Sequence, residues 1–116
     1  MENKQEELLK RGISAIYPSV EFLESKLKSG KKLTLYLGID PTGPTLHLGH
    51  FIPIKKMAEF QKAGHQIIIL IGDFTAMIGD PTDKKSTRQP LSRKQILNNL
   101  KDYKNQISTT LSFKGK

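Results

Sequence analysis

The sequence contains no cysteine, few aromatic residues and no long apolar run. Without cysteine, the 116-residue chain has neither disulfides nor thiolate metal sites, which fits a reducing compartment. The longest apolar run, residues 67–71, is far too short to cross a bilayer. Residues 1–7 are acidic and polar, unlike a secretory signal. We therefore expect a cytoplasmic protein with no membrane partner.

Apolar residues make up only 36% of the chain, which predicts one small domain or part of a larger one. The net charge is +8, from 19 basic and 11 acidic residues, and all of the excess lies after residue 30. A basic surface favours polyphosphate or nucleic-acid partners. A solvated lysine-rich face accounts for the charge equally well.

The hydrophobic pattern predicts short helices followed by a βαβ unit. Residues 2–11 are expected to form a helix that Gly12 ends, and a second helix is expected to have Pro18 in its first turn. Strands are predicted over residues 33–38 and 66–72, with a helix over 48–63 between them. The second strand is almost continuously apolar, which is typical of a parallel strand covered on both faces. The two strands should be parallel neighbours.

The rest of the chain is predicted to be a loop and one helix. Residues 73–90 are polar and basic, and Ser92 with Gln95 forms a capping box. The apolar side of the helix that follows is expected to comprise Ile96, Leu97, Leu100, Tyr103, Ile107 and Leu111. Two parallel strands do not make a stable covered sheet. We therefore expect a helical lead-in (1–31) and the first part of a larger α/β domain (32–116).

The most informative stretch is the connection between the first strand and the long helix. Residues 38–50 run through a Gly/Pro loop into a helix start that carries His47 and His50. A helix N-terminus gathers unpaired N–H groups and the positive end of the dipole, which suits a phosphate. The two histidines also suit a backbone-bonded pair or two metal ligands. No cysteine or third ligand lies nearby, so we expect no protein-bound metal.

Three ordered segments carry a family resemblance. Residues 38–42 (Gly-Ile-Asp-Pro-Thr) and 46–50 (Leu-His-Leu-Gly-His) resemble the first ATP-binding motif of class I aminoacyl-tRNA synthetases. Residues 60–65 resemble a helix end, and residues 78–88 a strand end and loop, of bacterial tyrosyl-tRNA synthetases. The similarity covers about residues 33–113 and corresponds to the N-terminal part of that family's catalytic domain.

The resemblance implies a fold and a reaction. The fold would be an α/β Rossmann-like (HUP-type) parallel sheet, first half only, preceded by short N-terminal helices. The family uses ATP, with Mg²⁺ accompanying the nucleotide, to convert tyrosine to tyrosyl-adenylate, and then transfers the tyrosyl group to tRNA(Tyr). The longer enzyme is expected to be a homodimer. The second class I motif is absent from these residues, so the chain alone is expected to be inactive.

The resemblance also implies roles for individual residues. The expected catalytic residues, which act on the phosphates of ATP, are Thr42, His47, His50, Lys84 and Arg88. The expected ATP-binding residues are Gly38, Asp40, Thr42, His47, Gly49 and His50, with Gly49 allowing close approach of the adenine. The expected tyrosine-binding residues are Tyr36 at the phenol and Thr75 and Asp80 at the α-ammonium.

Simpler interpretations remain beside these roles. Tyr36 also suits a core strand, Asp80 a turn before proline, and Lys84 with Arg88 a solvated loop. Gly38 and Gly49 also suit turns or packing. At the level of function, the alternatives are another nucleotidyl transferase with a His-X-Gly-His loop, a basic RNA-binding module without catalysis, and an inert fragment. The RNA-binding alternative predicts steeply salt-dependent binding without ATP.

Overall fold

The N-terminal segment is helical and packs beneath the end of the long helix. The computed structural model describes residues 7–78 and 90–114. Residues 7–10 are helical, and helix α1 follows at Val20–Lys28. The hydroxyl oxygen of Ser19 accepts a hydrogen bond from the Phe22 N–H at 3.2 Å, so α1 begins after this cap. The prediction that Pro18 lies in the first turn is therefore wrong, because Pro18 precedes the cap.

The βαβ prediction is confirmed. Strands β1 (Thr34–Ile39) and β2 (Gln66–Ile71) pair in parallel, with Thr34 opposite Gln66 and Ile39 opposite Ile71. Helix α2 (Leu48–Lys62) connects them. The Gly72 N–H donates to the Ile39 carbonyl at 2.9 Å and so continues the pairing past β2. This connection brings the segments that follow the two strands to one end of the sheet.

Helix α2 tolerates an internal proline and buries one side. Pro53 lies in its second turn, where the missing N–H removes one helical hydrogen bond. The helix ends before Gly64, whose φ of 97° suits glycine. Its buried residues are Ile54, Ala58 and Phe60. Phe51, in the first turn of α2, is 44% exposed.

The segment after β2 begins with a helix instead of the expected loop. Helix α3 spans Asp73–Ile78, and a carboxylate oxygen of Asp73 accepts from the Phe74 N–H at 2.8 Å. Ala76 is the buried residue of this short helix. The remainder of the expected loop, residues 79–89, lies outside the described residues.

The expected C-terminal helix is divided in two. Helix α4 spans Arg93–Leu100, and α5 spans Tyr103–Ser108. The capping box of Ser92 and Gln95 is confirmed at the start of α4. The division falls at Asp102, whose φ of −101° and ψ of −1° depart from helical values, and α5 begins as the Gln106 N–H donates to the Asp102 carbonyl at 3.0 Å. Leu97, expected on the apolar side, is exposed.

The β1–β2 sheet has one covered face and one bare face. Along both strands, the odd-numbered residues point to the covered face and pack against α2 and α5. The even-numbered residues point away, and Tyr36 and Leu70 are 76% and 59% exposed. Within residues 7–78 and 90–114, β2 is thus covered on one face, whereas the sequence pattern predicts cover on both.

Two cores of the described residues lie on the covered face. The larger contains Ile39, Ile54, Ala58, Tyr103, Ile107 and Leu111. The smaller joins Leu9 and Leu27 to Phe60. None of the helices in residues 7–78 and 90–114 has the length and apolar character needed to cross a membrane.

Candidate nucleotide site

Two histidine rings accept hydrogen bonds from backbone N–H groups at the start of α2. The His47 ring accepts from the Gly49 N–H at 3.1 Å through Nδ1, and the His50 ring accepts from the His47 N–H at 3.2 Å through Nδ1. The ring centroids are 3.9 Å apart. Because Nδ1 accepts in both rings, these hydrogen bonds assign the proton of each neutral ring to Nε2. Each Nε2–H is therefore free of the capping bonds and suited to donate to a ligand oxygen.

The position of His50 favours its neutral form. Burial lowers the pKa of His50, and the neighbouring His47 lowers it further. Protonation of Nδ1 would also remove the acceptor that His50 offers to the His47 N–H. At neutral pH the His50 ring is thus an uncharged donor at the positive end of a helix dipole.

Gly49 makes room for the first histidine of the pair. A Cβ atom built on Gly49 would lie 2.9 Å from Cε1 of the His47 ring, a distance that real Cβ atoms avoid. The structure therefore gives this glycine a role inside the protein, in addition to the expected approach of adenine. A Cβ on Gly38, by contrast, would meet open space.

A second group of residues meets where β1 and β2 end. The Thr75 hydroxyl donates to a carboxylate oxygen of Asp40 at 2.6 Å, which joins the end of β1 to α3. A Cβ on Gly72 would overlap both atoms of this bond. The family resemblance predicts Asp40 and Thr75 separately, at the nucleotide and at tyrosine. Gly72 was not predicted to belong to the site, although a glycine directly after a buried strand was a usable signal.

The loop that leads to His47 is bonded by side chains from α4 and α5. The Asn99 amide donates to the Pro41 carbonyl at 2.9 Å, and the Tyr103 hydroxyl donates to the Gly43 carbonyl at 2.5 Å. Gln106 accepts from the Leu46 N–H at 2.8 Å and donates to the Pro44 carbonyl at 3.1 Å. These three residues were not predicted to belong to the site, because their hydrogen-bond partners lie about sixty residues earlier in the chain.

The remaining predicted residues have different outcomes. Tyr36 and Gly38 lie on the bare face, four and two residues before Asp40 respectively, so all three share a side of β1. Thr42 follows Asp40 in a tight turn, in which the Thr42 N–H donates to the Asp40 carbonyl at 2.9 Å. Asp80, Lys84 and Arg88 lie outside the described residues.

The third histidine of the chain, His65, lies directly before β2. His65 is partly buried, and its Nδ1 accepts from the Leu33 N–H at 3.3 Å. This bond ties the start of β2 to the start of β1. Across residues 7–78 and 90–114, no group of three or more side chains of the types that bind metals is brought together.

Known proteins match most of the chain. The family model for class I tRNA synthetases (W and Y) matches residues 28–115. The chain belongs to this family. The resemblance found in the sequence and the Rossmann-like interpretation of the parallel sheet are thereby confirmed.

The relatives of this class I synthetase chain include several tyrosine--tRNA ligases. It is 50% identical over 107 residues to the tyrosine--tRNA ligase of Carboxydothermus hydrogenoformans, covering 90% of this chain and 26% of the relative. It is 54% identical over 112 residues to tyrosine--tRNA ligase 2 of Pseudoalteromonas translucida, covering 90% and 28%. For the Aquifex aeolicus tyrosine--tRNA ligase the identity is 47% over 108 residues, covering 93% and 27%. The chain thus spans about a quarter of the length of these relatives.

Proposed function

We propose that this chain is the N-terminal part of the catalytic domain of a tyrosine--tRNA ligase, and that it supplies the ATP half of the site. The observation that carries the proposal is the His47–His50 pair, whose two Nε2–H donors lie at the start of α2 directly after the loop from β1. The chain is 50% and 54% identical to two tyrosine--tRNA ligases, which supports tyrosine as the amino acid.

The proposed first step requires positioning and no protein nucleophile. A tyrosine carboxylate oxygen attacks the α-phosphorus of ATP, while the bond from that phosphorus to the bridging oxygen of the β-phosphate breaks. Tyrosyl-adenylate forms, and pyrophosphate leaves with Mg²⁺. Hydrogen-bond donors such as His47, His50 and the Thr42 hydroxyl would stabilise charge that develops on the phosphate oxygens. In the second step a hydroxyl of the terminal ribose of tRNA(Tyr) attacks the tyrosyl carbonyl carbon, the bond from that carbon to the phosphate oxygen breaks, and AMP leaves.

The end of β1 and the start of α3 would serve the amino acid. The Asp40 carboxylate, held by Thr75, suits a cationic ammonium or the hydroxyls of a ribose. Tyr36 is exposed on the same side of β1 and suits a hydrogen bond to the substrate phenol. Asp80 is proposed to join Thr75 at the α-ammonium, with Gly38 and Gly49 leaving space for the nucleotide. Lys84 and Arg88 are proposed to approach the departing pyrophosphate.

The proposal extends to the whole enzyme that carries this chain. It would be a cytoplasmic homodimer whose partners are tyrosine, ATP with Mg²⁺, and tRNA(Tyr). The bare face of the sheet supports a longer catalytic domain, because exposed apolar residues such as Leu70 on a parallel strand call for covering elements. On this view the 116 residues alone do not activate tyrosine.

The test is tyrosine-dependent exchange of pyrophosphate into ATP by the full-length protein that carries this chain. His47→Ala and His50→Ala should each lower the exchange rate roughly 100-fold, as expected for the loss of a donor to the transition state. His65→Ala, a histidine bonded at the far end of the strands, is the matched control and should change the rate little.

Two outcomes would contradict the proposal. Exchange that is absent with tyrosine would exclude the activity. If exchange is absent and RNA binding weakens steeply with salt, the basic RNA-binding alternative is favoured instead.

A further inference from the structure

The loop between β1 and α2 depends on other elements for its shape. Within it, the Thr42 N–H bonds to the Asp40 carbonyl, and the α2 cap begins at His47. Between these points, residues 43–46 contain a glycine and a proline and belong to no helix or strand. Thr42 and His47, two proposed phosphate contacts, lie at either end of this segment, so its geometry sets their separation.

Three side chains form what we name the loop clamp: Asn99 of α4 and Tyr103 and Gln106 of α5. Their spacing of four and three residues places them on one side of the α4–α5 pair. Together they bond the carbonyls of Pro41, Gly43 and Pro44 and the N–H of Leu46. Each held group is therefore in, or adjacent to, the segment that joins Thr42 to His47.

The chemistry of the clamp suits a rigid support. Tyr103 is 1% exposed, and burial raises the pKa of its hydroxyl, so the hydroxyl stays a protonated donor to Gly43. Gln106 uses both ends of its amide on the loop, since its oxygen accepts from Leu46 and its nitrogen donates to Pro44. Two bonds from one planar group restrain the rotation of the loop as well as its distance.

We propose that Asn99, Tyr103 and Gln106 are positioning residues that hold the β1–α2 loop so that Thr42 and His47 face the phosphates of ATP together. The proposal rests on the proposed function. It gives a task in ATP recognition to a helix pair that contains none of the predicted site residues. Displacement of a catalytic contact by about 1 Å can cost two orders of magnitude in rate, so supports behind the site matter to the chemistry.

The test compares kinetic constants in the full-length protein that carries this chain. Tyr103→Phe removes one clamp bond and keeps the ring in the core, while Gln106→Ala removes two bonds from a partly buried site. Each should lower kcat/KM for ATP about tenfold, and the KM for tyrosine should stay within about twofold. Asn105→Ala is the matched control, because the Asn105 amide donates to Asp102 and not to the loop.

A purely stabilising role predicts different results. It would lower kcat in proportion to the folded fraction and leave the KM for ATP unchanged, and that pattern would overturn the proposal. An equal rise of KM for both substrates, or unchanged kcat/KM in both variants, would overturn it as well.

Amide hydrogen exchange separates this proposal from the proposed function. Gln106→Ala removes the acceptor of the Leu46 N–H, so exchange at Leu46 should accelerate about tenfold relative to amides in β2. No acceleration would overturn the clamp. If the wild-type protein lacks tyrosine-dependent exchange of pyrophosphate into ATP, the proposed function is overturned instead. The rate of amide hydrogen exchange at Leu46 would still decide whether the clamp exists.

Discussion

One face of the β1–β2 sheet is packed by α2 and α5, whereas the other is bare in the described residues. The packed face carries aliphatic side chains such as Ile39, which meet Ile54 and Ile107. The bare face carries Tyr36 and Gly38 and leads to Asp40 at the end of β1. Alternation along one strand thus separates residues that stabilise the fold from residues that we propose contact substrates. The division predicts that mutations on the two faces have different consequences.

The largest expected effect is on stability, from a matched pair of isoleucines. Ile107→Ala removes a side chain that is 2% exposed and should lower the free energy of unfolding by about 2–5 kcal/mol. Ile68→Ala changes a residue on the bare face that is 44% exposed and should cost about 1 kcal/mol or less. Urea unfolding of this chain measures both. Equal losses would mean that the bare face is covered in solution.

The next effect is expected at the end of the strands, where Gly72→Ala adds a methyl group. Gly72 does not have a positive φ, so the backbone accepts alanine, but the new Cβ would separate Thr75 from Asp40. Tyrosine activation in the full-length protein should fall by about tenfold to hundredfold, with less than about 1 kcal/mol change in stability.

Thr75→Val serves as the comparison for Gly72→Ala, because it removes the same hydrogen bond without placing a new atom beside Asp40. The double variant should lose little more than either single variant, since both act on one interaction. Fully additive losses would show that Gly72 does not act through the Asp40–Thr75 bond.

The smallest expected effect is the dependence of stability on pH at His50. Its pKa is lowered in the folded chain, mainly by burial, so the unfolded chain binds the proton more readily. Its contribution to stability is therefore complete above the unfolded pKa of about 6.5 and is lost as pH falls through the folded pKa. The urea midpoint should be lower at acidic pH, and His50→Gln should weaken this dependence. An unchanged dependence would exclude His50 as its source.

Elements whose pattern is local were predicted well. The period of two in β1, the period of 3.6 in α2 and the glycine that ends α2 all act within a few residues, so they are readable from sequence. The start of α2 at Leu48 and the parallel pairing follow from the same signals. The His47–His50 pair was found because both its members and its capping role lie within one helical turn.

What the sequence did not reveal depends on short elements or distant contacts. Helix α3 has only six residues and no repeated apolar period, so a polar loop was the natural expectation. The division at Asp102 lies in the backbone angles of one residue, φ −101° and ψ −1°, and no glycine or proline in the sequence marks it. The clamp residues looked like ordinary helix residues, because carbonyls far away in the chain give them their role. Their role depends on tertiary contacts, which no local sequence pattern indicates.

The clamp also has a consequence for the order of events during synthesis. Its hydrogen bonds join residues that are 58 to 62 positions apart, whereas the His47–His50 pair is complete within four consecutive residues. A chain made from its N-terminus exposes the β1–α2 loop about sixty residues before Gln106 is available to hold it. Contacts of such long range carry a higher entropic cost of loop closure. We therefore expect the nascent chain to form the His47–His50 pair first and to fix the geometry of the β1–α2 loop only when α5 docks. Pulsed hydrogen exchange at Leu46 would measure the delay between the two events.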